Sequence, residues 1–244
     1  MLRKVFRKLK KSYAKRFKKK FLFQAPLVGN LVLDGRDSLS RDIYSGNLTE
    51  MEEQRTFLKI LAEQDKQIFL DVGSNYGLFS LLAARKGIRE IHAFEPNPKA
   101  YCQLAGNLYL NDLYTRIKTW EIAASDASGE ATIHIDPASS DVASLSPENM
   151  PDRWDYSQSH TCRTEPLDAL FDFRDRRLFV KIDVEGHEAK ALEGMKSLIT
   201  GNVTDLMIEI LPGNENILAT LRDMGLVEIA RYGPNYILTN RPSV

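Results

Sequence analysis

Four strand-like apolar runs in this chain carry an acid at or just beyond their carboxyl ends. Residues 67–72 hold Asp71, residues 90–94 lead into Glu95, residues 178–183 close on Asp183, and residues 204–211 hold Glu209. Helical patterns at 78–86, 98–110, 188–198 and 214–224 alternate with them. Nearly continuous apolar runs suit strands covered on both faces, and the alternation makes successive strands parallel through crossover helices. A closing pair, 227–231 and 236–239, flanks Gly233-Pro234. The pattern predicts an α/β fold: a doubly wound, mostly parallel, Rossmann-like sheet with an antiparallel last strand. Ligands of such sheets sit at the carboxyl ends of the strands, which is where the acids stand.

At 244 residues the chain has room for one sizeable domain and a small appendage. Its zero net charge hides an asymmetry. Of 33 Lys and Arg, eleven fall in residues 1–20, which hold no acid, so 22 face all 33 Asp and Glu in the rest. Leu2, Phe6, Leu9, Tyr13, Phe17 and Phe21 recur at steps of three or four, as on one face of an amphipathic helix. Such a helix either packs on its own domain or lies on an anionic membrane surface. The predicted layout is a basic helix or tail over 1–21, a cap and lead-in helix over 22–66, and a ligand-binding domain over 67–244 with a long polar loop at 136–163. Thr49 and Glu52 have capping-box spacing at the start of the lead-in helix. No secretory core or spanning segment is legible, so the expectation is a cytoplasmic protein, peripheral at the inner face of a membrane if the basic helix binds there. Cys102 and Cys162 lack metal-ligand spacing.

The first acid-bearing run continues as Asp71-Val72-Gly73-Ser74-Asn75-Tyr76-Gly77. Two glycines allow a tight turn and close backbone approach to a ligand, with helix N–H groups following. The G-x-G-x-x-G spacing of a pyrophosphate site is absent, and Asp71 favours a ligand bearing positive charge. S-adenosylmethionine, with a sulfonium and an α-ammonium, meets that description. Glu95-Pro96-Asn97-Pro98 follows about twenty residues later, where a neighbouring strand presents a carboxylate to ribose hydroxyls; the competing role for Glu95 is stabilising the next helix dipole. Ser125-Asp126 ends a third run beside an adenine, or simply makes a turn. The fourth run gives Lys181-Ile182-Asp183-Val184-Glu185-Gly186-His187-Glu188, a dense group of titratable side chains at the rim.

These segments, together with residues 104–111 and Met207-Ile208-Glu209-Ile210, resemble the FkbM family of methyltransferases in order and spacing from about 34 to 240. The resemblance implies a class I, Rossmann-like methyltransferase fold and O-methylation of a sugar, glycan or other hydroxyl-bearing metabolite. By position it implies that Asp71, Gly73, Asn75, Tyr76 and Gly77 line the methionine side of S-adenosylmethionine. Glu95 and Pro96 would then meet the ribose, Ser125 and Asp126 the adenine, and Asp183 to Glu188 the transferred methyl.

Methyl transfer to a hydroxyl needs alignment, exclusion of water and a proton acceptor. His187 leads as that acceptor, with Glu185 and Glu188 orienting it or serving instead, and Asp183 beside them. A hard divalent cation bridging Asp183 and Glu209 is an alternative arrangement, but no metal is assigned. Trp154, Tyr156 and the serines of the 136–163 loop are placed to close over a sugar. The competing readings are a nicotinamide-dependent oxidoreductase and a noncatalytic membrane-surface adaptor; no specific nucleic-acid partner is expected.

Overall fold

A computed structural model describes residues 2–17, 19–46, 48–62, 66–150 and 153–241. The chain begins with α1 (Leu2–Phe17), the hairpin β1 (Lys20–Ala25) and β2 (Gly29–Asp34), α2 (Ser38–Ser45) and α3 (Leu48–Ala62). It continues through β3 (Ile68–Val72), α4 (Leu78–Arg85), β4 (Glu90–Phe94), α5 (Pro98–Tyr109) and β5 (Ile117–Trp120). Then come β6 (Ile122–Ala124), β7 (Gly129–Asp136), β8 (Ser139–Ser144), β9 (Gln158–Glu165) and α6 (Leu167–Leu170). The last part comprises β10 (Arg177–Ile182), α7 (Glu188–Glu193), α8 (Lys196–Thr200), β11 (Val203–Glu209), α9 (Ile217–Asp223), β12 (Val227–Tyr232) and β13 (Asn235–Thr239).

Seven strands form the main sheet in the order β12-β13-β11-β10-β3-β4-β5. The run from β11 to β5 is parallel throughout, whereas β13 is antiparallel to both β11 and β12. This is the expected mixed α/β, Rossmann-like sheet with an antiparallel last strand. Side-chain alternation divides its core. Ile68, Leu70, Val72, Leu178, Val180 and Ile182 pack with Ala191, Leu198 and Leu221 of α7 to α9. Phe69, Phe179 and Met207 pack on the other face with Phe57, Leu81 and Leu104 of α3 to α5.

Three expectations require correction. The third run, which reads as one strand up to Ser125-Asp126, breaks at Glu121, so that β5 stays in the main sheet and β6 joins a second one, ordered β6-β9-β7-β8. Much of the 136–163 stretch expected as a loop is β8 and the start of β9. Its strands lack the usual signal: β8 is built of serines, Asp141, Val142 and Ala143, and β9 places only Cys162 and Thr164 in the interior. Neighbours supply what propensity does not, because β9 pairs with β6 on one side and β7 on the other. The helix expected over 188–198 is two, α7 and α8, parted at Gly194, where a Cβ would lie 1.8 Å from the Ser125 carbonyl oxygen.

The segment before β3 is integral to the core. The Phe57 ring of α3 is fully buried and lies 5.1, 5.0 and 5.0 Å from those of Phe69, Phe79 and Phe179. The side chains of Thr49 and Glu52, the expected capping box, lie outside the described residues. Replacing Phe57 with Ala should cost ~3–5 kcal/mol of unfolding free energy. Urea denaturation followed by circular dichroism would measure this, and a loss under ~1 kcal/mol would detach α3 from the core.

Candidate active site

The carboxyl ends of β3, β4 and β10 meet in one crevice, and what lets β3 and β10 approach is the absence of a side chain. Gly73 has φ +80°, and a Cβ there would sit 1.8 Å from the Asp183 carbonyl oxygen. Asn75 and Gly77 are also left-handed, at φ 47° and 78°. Between them they fold the chain from β3 into α4 in the space of one turn.

Glu95 locks this turn to β4. Its Oε2 accepts the Asn75 N–H at 2.7 Å and its Oε1 accepts the Asn97 N–H at 2.9 Å. Each oxygen keeps a second lone pair. Burial raises the Glu95 pKa to about 7 despite these bonds. On the same turn, Ser74 Oγ and Asn75 Oδ1 are buried without a hydrogen-bond partner among the described residues, and both residues line the crevice. Buried polar atoms are seldom left so, and these point to a ligand that satisfies them.

A cavity of about 320 Å³ opens from the turn. Its floor is Lys181, 3% exposed, donating to Asp183 Oδ2 at 2.8 Å and lying 4.7 Å from the centroid of the Phe79 ring. Burial works against the ammonium, but Asp183, Asp71 and Glu53 outweigh it and hold the Lys181 pKa above its ordinary value. Asp183, Glu185 and Glu209 bring one carboxylate oxygen each within 4.8 Å of one another. Burial and then Asp183 push Glu209 up to about 9, and burial with Asp183 and Glu209 lifts Glu185 well above the usual carboxylate range. Glu53, from α3, is raised by burial as well and accepts from Asn235 Nδ2 at 3.1 Å.

The second sheet roofs the cavity with Ser140, Asp141, Val142 and Ala143, while Arg153 and Trp154 stand at its wall. Asn75 Nδ2 donates to the Ser140 carbonyl at 2.9 Å, and Ser140 Oγ donates to the Tyr76 hydroxyl at 2.6 Å. The glycine turn and the roof are thereby joined.

Of the residues selected from sequence, Gly73, Asn75, Tyr76, Glu95, Pro96, Asp183, Glu185 and His187 line this one cavity; Asp71, Gly77, Ser125, Asp126 and Glu188 are not among its lining residues. Asp71 projects to the α3–α5 face, accepts from Ser80 Oγ at 2.6 Å and faces Lys181 across the β3–β10 register; its pKa is raised by burial. Asp126, expected beside an adenine or in a turn, is exposed, with its pKa lowered by the Ser125 hydroxyl; the part of its run that lines the cavity is Ile122, Ala123 and Ala124. Glu188 is buried and caps its own turn, accepting the Gly186 N–H at 3.0 Å. His187 differs most from expectation. Nε2 pairs with Ser125 Oγ at 3.0 Å and Nδ1 with Ser146 Oγ at 3.1 Å, and burial lowers its pKa. With both ring nitrogens engaged, it ties the end of β6 to the roof and offers no lone pair to an acceptor hydroxyl.

Lys181, Glu53 and Asp141 are cavity residues to which sequence reasoning gave no role. A lysine inside the apolar run Leu178–Ile182 was the available signal for the first, because a buried cation needs carboxylates around it. Glu53 had none, since its helix reaches the site only through tertiary packing.

A family model described as "Methyltransferase FkbM domain" matches residues 71–226. The hexuronic acid methyltransferase AglP of Haloferax volcanii is 26% identical over 171 residues, covering 68% of this chain and 66% of that protein. The methyltransferase sdnD of Sordaria araneosa is 38% identical over 80 residues, covering 32% and 31%. The chain thus spans less than two thirds of the length of either curated relative. A solved structure of the methyltransferase FkbM from Methylobacillus flagellatus KT aligns at 17% identity with a TM-score of 0.48, over 71% of this chain and 43% of that one.

The raised carboxyls make the folded state favour protons. For Glu95 and Glu209 that stability is fully present below the ordinary value of 4.5 and is lost as pH rises through about 7 and about 9, respectively. Without ligand, the denaturation midpoint should therefore fall between pH 4.5 and 9. Glu95→Gln should flatten the slope up to pH 7, and Glu209→Gln the slope extending to pH 9. A parent profile flat across this window would contradict the assignment.

Proposed function

Because the chain belongs to the FkbM methyltransferase family, we propose that it moves a methyl group from S-adenosylmethionine to a hydroxyl of a sugar, glycan or related metabolite. One observation carries the cofactor reading: the turn that grips Glu95 also presents Ser74 Oγ and Asn75 Oδ1, buried and unpartnered, to the cavity. The acid-rich lining suits a cation, and bound S-adenosylmethionine supplies an electrophilic methyl on a sulfonium. Ser74 and Asn75 take its polar groups, and Glu95 receives the ribose diol on the lone pairs that Asn75 and Asn97 leave free.

The proton of the acceptor hydroxyl goes to Asp183. Lys181 orients that carboxylate through its 2.8 Å hydrogen bond, and Glu209, raised to about 9, is protonated at neutral pH beside it. Asp141 and Glu185 offer hydrogen bonds to further hydroxyls of a polyol, and Trp154 gives its ring a stacking surface. The hexuronic acid named for the Haloferax volcanii relative supports a sugar-type acceptor. His187 acts as a positioning residue through its two serine contacts.

S-adenosylmethionine and S-adenosylhomocysteine should each raise stability in a thermal-shift titration, by ~2.7 kcal/mol at a hundred times Kd, and NAD should not. Glu95→Ala should abolish most of that gain; a mutant with parental affinity removes the ribose assignment. Asp183→Asn should lower turnover of a labelled-methyl assay by ~10²–10⁴-fold, far more than it weakens cofactor binding. Parental turnover in that variant would assign the proton elsewhere.

A further inference from the structure

The helix α1 is mounted with its apolar side outward. Val5, Phe6, Leu9, Tyr13 and Phe17 are 50%, 61%, 62%, 52% and 65% exposed, and their spacing sets them on one ridge. The side turned to the body carries Ala14, fully buried, with Lys11 paired to Asp42 of α2 and Lys10 5.5 Å from the Tyr44 ring centroid. A surface helix of a soluble domain ordinarily buries its apolar stripe and exposes its charges. This one leaves its apolar stripe open beside the exposed Lys4, Lys8, Lys15 and Arg16, and large apolar side chains grouped in the open mark an interaction surface.

Charge indicates what covers the ridge. Residues 1–20 hold eleven Lys and Arg and no acid. A second copy set ridge against ridge would bring two such clusters together. An anionic bilayer instead offers hydrocarbon to the ridge and phosphates to the flanking ammonium groups, whose stems reach up to the headgroup level. Among the described residues no helix is long and apolar enough to cross a membrane, so the contact is one of a helix lying in the interface plane.

We propose that α1 docks this protein onto an anionic phospholipid bilayer, with Phe6, Leu9, Tyr13 and Phe17 entering the acyl boundary. The helix α1 packs on α2, whose Leu39 and Ile43 line the cavity wall. The inference concerns a surface and stands independently of the reaction.

The full chain should co-sediment with vesicles of phosphatidylcholine containing about a third phosphatidylglycerol and not with phosphatidylcholine alone, and should be released as salt rises from ~0.1 to ~0.5 M. The triple variant Phe6→Ala, Leu9→Ala, Phe17→Ala keeps every cation and, because these exposed side chains belong to none of the core clusters among the described residues, should keep the parental unfolding midpoint. Its partition coefficient should drop at least ~10-fold. Equal partition of variant and parent overturns the proposal, as does sedimentation equally strong on neutral vesicles. A dimer seen by analytical ultracentrifugation that the triple variant abolishes, with no vesicle binding by the parent, overturns it too and gives the ridge to a second copy.

Discussion

The backbone contact between β3 and β10 at Gly73 is the constraint on which the site depends. Any side chain at this position would meet the Asp183 carbonyl oxygen, and φ +80° would be strained for any other residue. With Gly73 in place, the register runs Asp71 opposite Lys181 and Val72 opposite Ile182. Asp183 then emerges beside the glycine turn, its N–H bonded to the Val72 carbonyl at 3.0 Å. The same turn places the Asn75 N–H against Glu95, so three strand tips are indexed to one another through backbone atoms. A wider separation of β3 and β10 would split the unpartnered atoms of the turn from the carboxylates of the fourth tip.

The cavity that results is short of positive charge. Lys181 is buried among Asp71, Asp183 and Glu53, with Glu209 and Glu185 close behind. One ammonium cannot keep all of these ionised, and the shifts record the outcome: Glu53, Glu209 and Glu185 hold their protons more tightly than they would in water. A ligand that brings a positive charge relieves this repulsion, whereas one that brings pyrophosphate adds to it. Electrostatics thus narrows the choice of cofactor in a way that the sheet topology, shared by many nucleotide-binding proteins, does not.

The main sheet was legible in the sequence because strands buried on both faces must be apolar nearly end to end, and the acids at their tips stand out against that background. Glu95 and Asp183 could be picked out as candidates for this reason and Gly73 by its place in the turn between them, and all three line the cavity. The second sheet was hidden, since β8 and β9 are strands by pairing rather than by composition; His134 of β7 and Ser144 of β8 pair although neither residue type announces a strand. The roles of individual polar residues were hidden for a different reason. That His187 lines the cavity and Glu188 does not follows a left-handed stretch of backbone just before them: Glu185 sits at φ 50° and Gly186 at 92°. No spacing rule encodes those angles. The ends of strands could therefore be read, and the directions of the side chains beyond them could not.

The cavity also draws on chain outside the family-matched span of 71–226. Leu39 and Ile43 of α2 and Glu53 of α3 line it, and Phe57 anchors α3 through a cluster of four phenylalanine rings. The roof is tied to this segment as well, because Asp37 Oδ1 accepts the Ser140 N–H at 2.8 Å and Oδ2 accepts the Ser40 N–H at 2.8 Å. One buried carboxylate, 0% exposed, thereby fixes the start of α2 and the start of β8 in a single geometry. The glycine turn reaches that geometry through Asn75 and Tyr76, which bond the same residue, Ser140. Movement of α2 would be felt at the turn through two hydrogen-bonded steps, so the segment before β3 shapes the cavity as fully as the strand tips do.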